Sequence, residues 1–334
     1  MLDEPKIVEQ PKFKKRFRKK PNKTEPKVRK HSEAVQTDEN ITNVSPKYGP
    51  MPRFSGQRLW SKAVVMLGIT LYIWYFSKSN RESVLARQDK TYAGRGQHVE
   101  CDLDYLDEIR HYPGCVPKKC GRYVSDQIVT AEEADVLLWL AKKGMSIGGS
   151  TGGATIMDLH SGALSYKDNF INFYTMVKQK FISPSELTVY QIVRTKIQNA
   201  IAECFGIDVD SLYLTHPTFF SRLTGKDPVT AHDEYWLIHV DKHTYESFHY
   251  TSLLYLNDYG IDFKGGRFIY LDQMIDAKQN VSVEPRKGRV SMFTSGAENP
   301  HYVERVIEGE RINAVEPRKS ASGYTILCTH YSRY

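Results

Sequence analysis

Residues 239–301 read HVDKHTYESFHYTSLLYLNDYGIDFKGGRFIYLDQMIDAKQNVSVEPRKGRVSMFTSGAENPH, and the alternation of strand and turn signals within them decides the fold. Residues 250–258 are rich in β-branched, aromatic and large apolar types, as are residues 265–271 after a polar loop, so each segment predicts a strand. Residues 281–293 predict a strand, a turn punctuated by Pro285 and Gly288, and another strand. Short strands with turn signals at intervals of roughly 8 to 12 residues predict an all-β sandwich or barrel in this half of the chain.

Polar residues stand at both ends of that series. His239 and Asp241, in His239-Val240-Asp241, share one face of an extended segment, because side chains at i and i+2 point the same way. His301 would have to come alongside on another strand to complete two imidazoles and one carboxylate, the ligand set of the facial triad that holds non-haem Fe(II). In a chain with 11 histidines an H-x-D arises by chance, and the plainer reading is a half-exposed strand with polar residues. His232 and Glu234 form a competing pair of the same geometry, so the residues alone leave both open.

In their order, the segments resemble the prolyl 4-hydroxylase-like 2-oxoglutarate and Fe(II)-dependent oxygenases. The matching elements are H-x-D at 239–241, a Thr-led strand ending Tyr-Leu-Asn-Asp at 251–258, Gly-Gly-x-x-Ile at 265–269, Val-x-Pro-x-x-Gly at 283–288 and the distal His301. The resemblance covers roughly residues 125–311. It implies a mainly β fold, a double-stranded β-helix (jelly-roll) core with helices packed on one side. It also selects His239, Asp241 and His301 as iron ligands over His232 and Glu234, leaving His232 with Tyr235 and Trp236 as pocket wall. His243 and His249 are expected as polar loop residues. The cofactors implied are Fe(II), 2-oxoglutarate and O2, with ascorbate by family habit. The reaction implied is hydroxylation of a C–H bond coupled to decarboxylation of 2-oxoglutarate to succinate.

Relatives hold the distal carboxylate of 2-oxoglutarate with a basic residue about ten positions after the second histidine, and Arg311 stands at that distance. A guanidinium can grip a carboxylate with two parallel hydrogen bonds. Thr251 and Tyr255 are further candidate cosubstrate contacts, from the strand that faces it in relatives. In the family an apolar strand follows the basic residue, whereas this chain continues Ile312-Asn313-Ala314-Val315-Glu316-Pro317-Arg318-Lys319-Ser320. The closing strand is therefore expected to be missing there. Either residues 324–329 replace it after an insertion, making Arg318 or Lys319 a rival clamp, or the end packs poorly and the oxygenase is defective.

The 334 residues, 40% hydrophobic, suffice for one sizeable core or two small ones. Charge is uneven: residues 1–58 hold 15 Lys/Arg against 7 Asp/Glu, so the overall excess of positive charge belongs to this tail. With its Lys/Arg cluster at 12–20, its prolines and few large apolar residues, the tail predicts a disordered basic segment. A nucleic-acid patch is the alternative use of such a cluster, but no nucleic-acid partner is expected, because an uncharged run follows at 63–76. With Lys62 reaching outward and aromatic residues near both ends, residues 59–78 predict a transmembrane signal anchor.

Positive charge ahead of the span then puts the N-terminus in the cytoplasm and the rest in a secretory lumen or outside the cell, a single-pass type II arrangement. All five cysteines follow the span, where disulfides are permitted, and two of Cys101, Cys115 and Cys120 are expected to pair. Asn280 is the lumenal glycosylation sequon, whereas Asn22, Asn40 and Asn43 fall on the cytoplasmic side. Residues 79–124 are expected as a charged stem and cysteine-containing segment, and 125–334 as the oxygenase domain, with core strands at about 212–311 and an atypical C-terminus at 312–334.

Thr130 and Ser183 each open a capping box, predicting helices to about Lys143 and Phe205. Residues 148–153 lack the Lys-Ser/Thr ending of a phosphate loop and predict a flexible turn. Two other functions fit parts of the chain. A type II glycosyltransferase would use Asp208-Val209-Asp210 for a divalent cation and sugar nucleotide, and a non-catalytic lumenal binding module would keep the oxygenase fold alone. Substrate identity, whether protein side chain or small molecule, is not written in the fold.

Overall fold

The computed structural model describes residues 56–79, 82–177, 181–215, 217–272 and 279–320. They divide between two units, residues 10–77 and the chain from residue 78 onward. The first contributes helix α1, Gln57–Ser79, whose large apolar side chains, among them Leu59, Val64, Leu67, Ile73 and Trp74, are exposed on every side. The predicted span thus forms as a helix, yet among the described residues no helix is long and apolar enough to cross a membrane. Ser61, Lys62, Gly68, Thr70 and the Trp and Tyr residues dilute the aliphatic run.

The second unit is built from β1 (Ser83–Ala86), β2 (Arg95–His98), α2 (Leu103–Ile109), β3 (Gly121–Ser125) and α3 (Ala131–Met145). Four short strands follow, β4 (Gly149–Ser150), β5 (Ala154–Met157), β6 (Ala163–Lys167) and β7 (Asn169–Asn172), then α4 (Pro184–Phe205). The remainder is β8 (Leu212–Leu214), β9 (Phe219–Thr224), α5 (Asp241–Thr244), β10 (Tyr250–Tyr255), β11 (Phe263–Gly265), β12 (Phe268–Asp272), β13 (Gln279–Val283), β14 (Val290–Thr294), β15 (His301–Val303) and β16 (Val306–Ser320).

The order β9-β16-β10-β14 forms the heart of the large sheet, and β13-β12-β15 that of the small one. His239 extends the small sheet by an antiparallel bridge to His301. Two four-strand layers with this alternation make the expected jelly roll. Between them lie Leu253, Tyr255, Phe268, Tyr270, Val283 and Phe293, large side chains that exclude water and hold the layers together. On the outer face of the large sheet, Tyr250, Leu254, Met292 and Ile312 share a second core with the buried faces of α3 and α4. Both helices start at the predicted capping boxes, where Thr130 and Ser183 accept from the backbone N–H of Glu133 and Glu186.

Four expectations change. Residues 79–124, expected as a charged stem and cysteine-containing segment, contribute to the sheets, because β1 pairs parallel with β13 and β3 antiparallel with β14, so each sheet gains a strand. A disulfide joins Cys101 to Cys120 immediately before β3. The candidate strand at 212–220 is two strands, β8 and β9.

The third change concerns the closing strand, which is present. β16 runs unbroken from Val306 to Ser320, with β10 on one side and β9 on the other. It escapes a reading based on apolarity because its inward residues include Arg311 and Asn313, while Glu316 is buried at its far end. Residues 324–329, the alternative strand, lie outside the described residues. The turn at 148–153 is fixed: Asp233 accepts from Ala154 N (2.8 Å) and Ser150 Oγ (3.3 Å), and a Cβ on Gly152 would meet its carboxylate.

Candidate metal centre and cosubstrate site

His239 and His301 exchange two backbone hydrogen bonds of 2.9 and 3.0 Å. Residues paired this way project to the same side of a sheet, so the bridge itself sets the imidazoles side by side, with ring centroids 4.4 Å apart. The chain then turns into α5, which begins at Asp241. The Asp241 Oδ1 atom lies 3.7 Å from His239 Nε2 and 3.5 Å from His301 Nε2.

Second contacts fix the orientation of each group. The Nδ1 atoms of His239 and His301 lie 2.9 Å from the carbonyl oxygens of Leu237 and Asn299. A carbonyl can only accept, so both Nδ1 atoms carry the proton and both Nε2 atoms present lone pairs. The other carboxylate oxygen, Asp241 Oδ2, accepts from Thr251 Oγ1 at 2.7 Å, and Thr251 Oγ1 is 2.8 Å from Ser295 Oγ. Oδ1 is thereby turned toward the imidazoles.

His301 is packed among Phe268, Phe293 and Tyr270, and burial pushes its pKa down to about 4 against the pull of Asp241. The three groups thus converge, with His301 Nε2 unprotonated at neutral pH. Their ligand atoms all lie within 4.8 Å of one another, a repulsive arrangement that a divalent cation relieves. Among the described residues, this is the one group of three or more His, Cys, Asp or Glu with that property.

His232 and Glu234 do not compete. His232 packs edge-on against Phe170 with ring centroids 5.4 Å apart, and Glu234 is exposed. His249, expected in a polar loop, is instead buried, with Nε2 3.0 Å from Glu108 Oε1. His243 lies on the exposed side of α5. Asp208 caps a short turn, accepting from Asp210 N at 3.1 Å, which is a local structural use of the Asp-Val-Asp triplet.

Arg311 projects from β16 into the space between the sheets and is 1% exposed. Its Nη1 donates to Asn313 Oδ1 at 2.6 Å, while Nε and Nη2 have no hydrogen-bond partner. Among the described residues no carboxylate forms an ion pair with it, and burial lowers its pKa. A buried, half-satisfied guanidinium is costly unless an anion joins it. Its neighbours suit that role: Cζ lies 5.4 Å from the Tyr255 ring centroid, and the Tyr255 hydroxyl is 3.2 Å from Ser291 Oγ.

Gly266 explains part of the Gly-Gly motif, since it has φ +69° and a Cβ there would stand 3.1 Å from Arg311 Cδ. Of the predicted residues, His239, Asp241, His301 and Thr251 are therefore in one cluster, and Arg311 and Tyr255 in another. Arg318 and Lys319 belong to the end of β16, and their side chains lie outside the described residues. Asn280 stands half-buried on β13, opposite Leu271.

Residues 226–325 match the family model described as the 2OG-Fe(II) oxygenase superfamily. The 2-oxoglutarate and iron-dependent oxygenase domain-containing protein 3 of Mus musculus is 47% identical over 276 residues, covering 80% of this chain and 86% of that one. The chain belongs to the 2OG-Fe(II) oxygenase superfamily. Prolyl 3-hydroxylase 2 of Homo sapiens is 48% identical over a shorter stretch of 63 residues, 19% of this chain and 8% of that protein. A solved 2OG-Fe(II) oxygenase-family oxidoreductase from Burkholderia pseudomallei covers 73% of this chain and 97% of its own, at 14% identity and a TM-score of 0.43. Fe(II), 2-oxoglutarate and O2 are the family's cofactors, and the His-Asp-His cluster supplies a donor set that fits the iron. Membership removes the glycosyltransferase reading.

Sequence reasoning passed over two inward-facing residues of this oxygenase, Arg122 on β3 and Tyr270 on β12. Alternation along a recognised strand would have placed Tyr270, but Arg122 lies in the segment assigned to the stem.

Proposed function

We propose that this oxygenase hydroxylates a side chain of a protein substrate, with decarboxylation of 2-oxoglutarate to succinate. The observation that carries the reading is the pairing of the convergent His239, Asp241 and His301 ligand atoms with the buried, half-satisfied Arg311. Iron bound there would supply the oxygen chemistry, and the chain's own residues bind and orient. Arg311 takes the distal carboxylate of the cosubstrate, with Tyr255 and Thr251 on the strand beside it. Thr251 also holds Asp241 in its ligating orientation. His239, whose side chain is 39% exposed, marks the open side from which a polymer side chain approaches.

Decarboxylation of labelled 2-oxoglutarate by the full chain with Fe(II) tests this, comparing wild type with His239→Ala, Asp241→Ala and Arg311→Ala. All three variants should fall to background. Turnover that survives in the first two would overturn the ligand assignment, and a fold that never makes succinate would favour a non-catalytic binding module. Ascorbate belongs to the same assay as a candidate reductant.

The proposal extends to location: α1 as an anchor and the oxygenase unit in a secretory lumen. Support comes from the uncharged run at 63–76 with its exposed aliphatic side chains and from the Cys101–Cys120 disulfide, which suits an oxidising compartment. Glycan on Asn280, and none on Asn22, Asn40 or Asn43, is the expected outcome in cells. The opposite pattern would reverse the topology.

A further inference from the structure

Besides Arg311, Arg122 and Tyr270 carry three unpartnered polar atoms deep in the core on the iron-ligand side. Arg122 is 0% exposed and donates through Nη2 to Asp272 Oδ1 at 2.6 Å, but its Nε and Nη1 have no partner. Its guanidinium covers the Tyr270 ring, with Cζ 4.5 Å from the centroid, and the Tyr270 hydroxyl is likewise buried without a partner. Both residues face the metal ligands. Tyr270 pairs directly with His301 across β12 and β15, and Arg122 pairs with Phe293, which packs on the His301 ring at 5.0 Å.

A single ion pair with Asp272 would explain the position of Arg122, but not its two further N–H groups or the Tyr270 O–H in a core of aromatic rings. Each buried donor without an acceptor is a cost that a bound acceptor removes. Both side chains are fully buried, which suits a small anion better than a polymer's side chain, whose open side is marked by the exposed His239.

We propose that Arg122 and Tyr270 form a second carboxylate subsite, holding the carboxylate next to the keto group of the 2-oxo acid while Arg311 holds the distal one. This rests on the oxygenase reading above and deepens it. The cosubstrate would then be recognised at both ends, with Asp272 and the register with Phe293 fixing the Arg122 side. Arg122 and Tyr270 are positioning residues in this scheme: they orient the group that leaves as CO2 without contributing to the iron's ligand set.

The test is binding, measured by calorimetry on the full chain with Mn(II) and no protein substrate, which keeps any carboxylate of the substrate out of the reading. The probes are 2-oxoglutarate and 2-oxobutyrate, a keto acid without the distal carboxylate. Arg122→Gln and Tyr270→Phe should weaken both probes by a common factor, about tenfold or more, the range expected on losing a hydrogen bond to a charged group. Arg311→Gln should weaken 2-oxoglutarate and leave 2-oxobutyrate unchanged.

If wild type binds both probes and Tyr270→Phe and Arg122→Gln bind them as wild type does, the subsite is wrong and Arg122 is a clamp for β12. If wild type binds neither keto acid, the oxygenase reading fails first and this one with it. Thermal melts accompany each variant. Should Arg122→Gln fail to fold, Tyr270→Phe, which removes one unpartnered hydroxyl, decides the matter alone.

Discussion

Among the described residues three arginines are fully buried, and their partners separate structure from function at the level of single residues. Arg289 is satisfied: Nε and Nη2 donate to the two oxygens of Asp126 at 2.7 and 3.0 Å, and Nη1 and Nη2 donate to the carbonyls of Glu284 and Lys90. Arg289→Ala would strand Asp126 and should cost about 3–5 kcal/mol by denaturant unfolding. Arg311 is only half-satisfied, so Arg311→Met should leave stability unchanged or raise it while abolishing decarboxylation. Thr251→Val removes the hydroxyl that turns Asp241 toward the imidazoles. Metal affinity, read by competition with a chelator, should drop by about 10- to 100-fold with the fold intact.

At the scale of elements, the Cys101–Cys120 bridge closes a loop with a sequence separation of 19 and ends two residues before Arg122. It ties the segment carrying α2 to β3, a strand that meets β14 and β2 but is not one of the jelly roll's own eight. Replacing both cysteines by serine should lower unfolding stability by about 3 kcal/mol, and reductant should bring wild type to the same value. A variant as stable as oxidised wild type would show that packing alone holds β3. β16 teaches a different lesson. It carries Arg311 inward because a strand flanked on both sides can bury polar residues that find partners: Asn313 Oδ1 accepts from both Ser221 Oγ (3.0 Å) and Arg311.

Across the whole molecule, the pH dependence of stability should carry one unusual contribution. Glu298 is half-buried beside Asp102, with bonds of 3.3 Å from Asp102 N and Gly296 N and a side-chain hydrogen bond with Thr294, and desolvation raises its pKa above the ordinary glutamate range. The folded state therefore holds this proton more tightly than the unfolded chain. Its stabilising contribution is full below the unfolded pKa and is lost as pH rises through the folded one. Glu298→Gln should flatten that decline in denaturant midpoints measured from acid to neutral pH. An unchanged slope would mean that the carboxylate is better solvated than its burial implies.

Local chemistry set much of what the sequence determined: the capping boxes, the strand and turn series after residue 250, the Gly-Gly turn and the ligand types at 239, 241 and 301. These depend on neighbours within a few residues, or on a fixed order of such segments. Tertiary structure alone decided which inward faces meet. The His239–His301 bridge converts a separation in sequence into a pair of adjacent imidazoles. The flanks supplied by β9 and β10 make a strand of a polar-looking C-terminal segment, and the pairing of β3 with β14 brings Arg122 from the expected stem and cysteine-containing segment into the core beside Phe293 and Tyr270. Such contacts follow from strand register between distant segments, and the alternation within any one strand says which side a residue faces but not what it will find there.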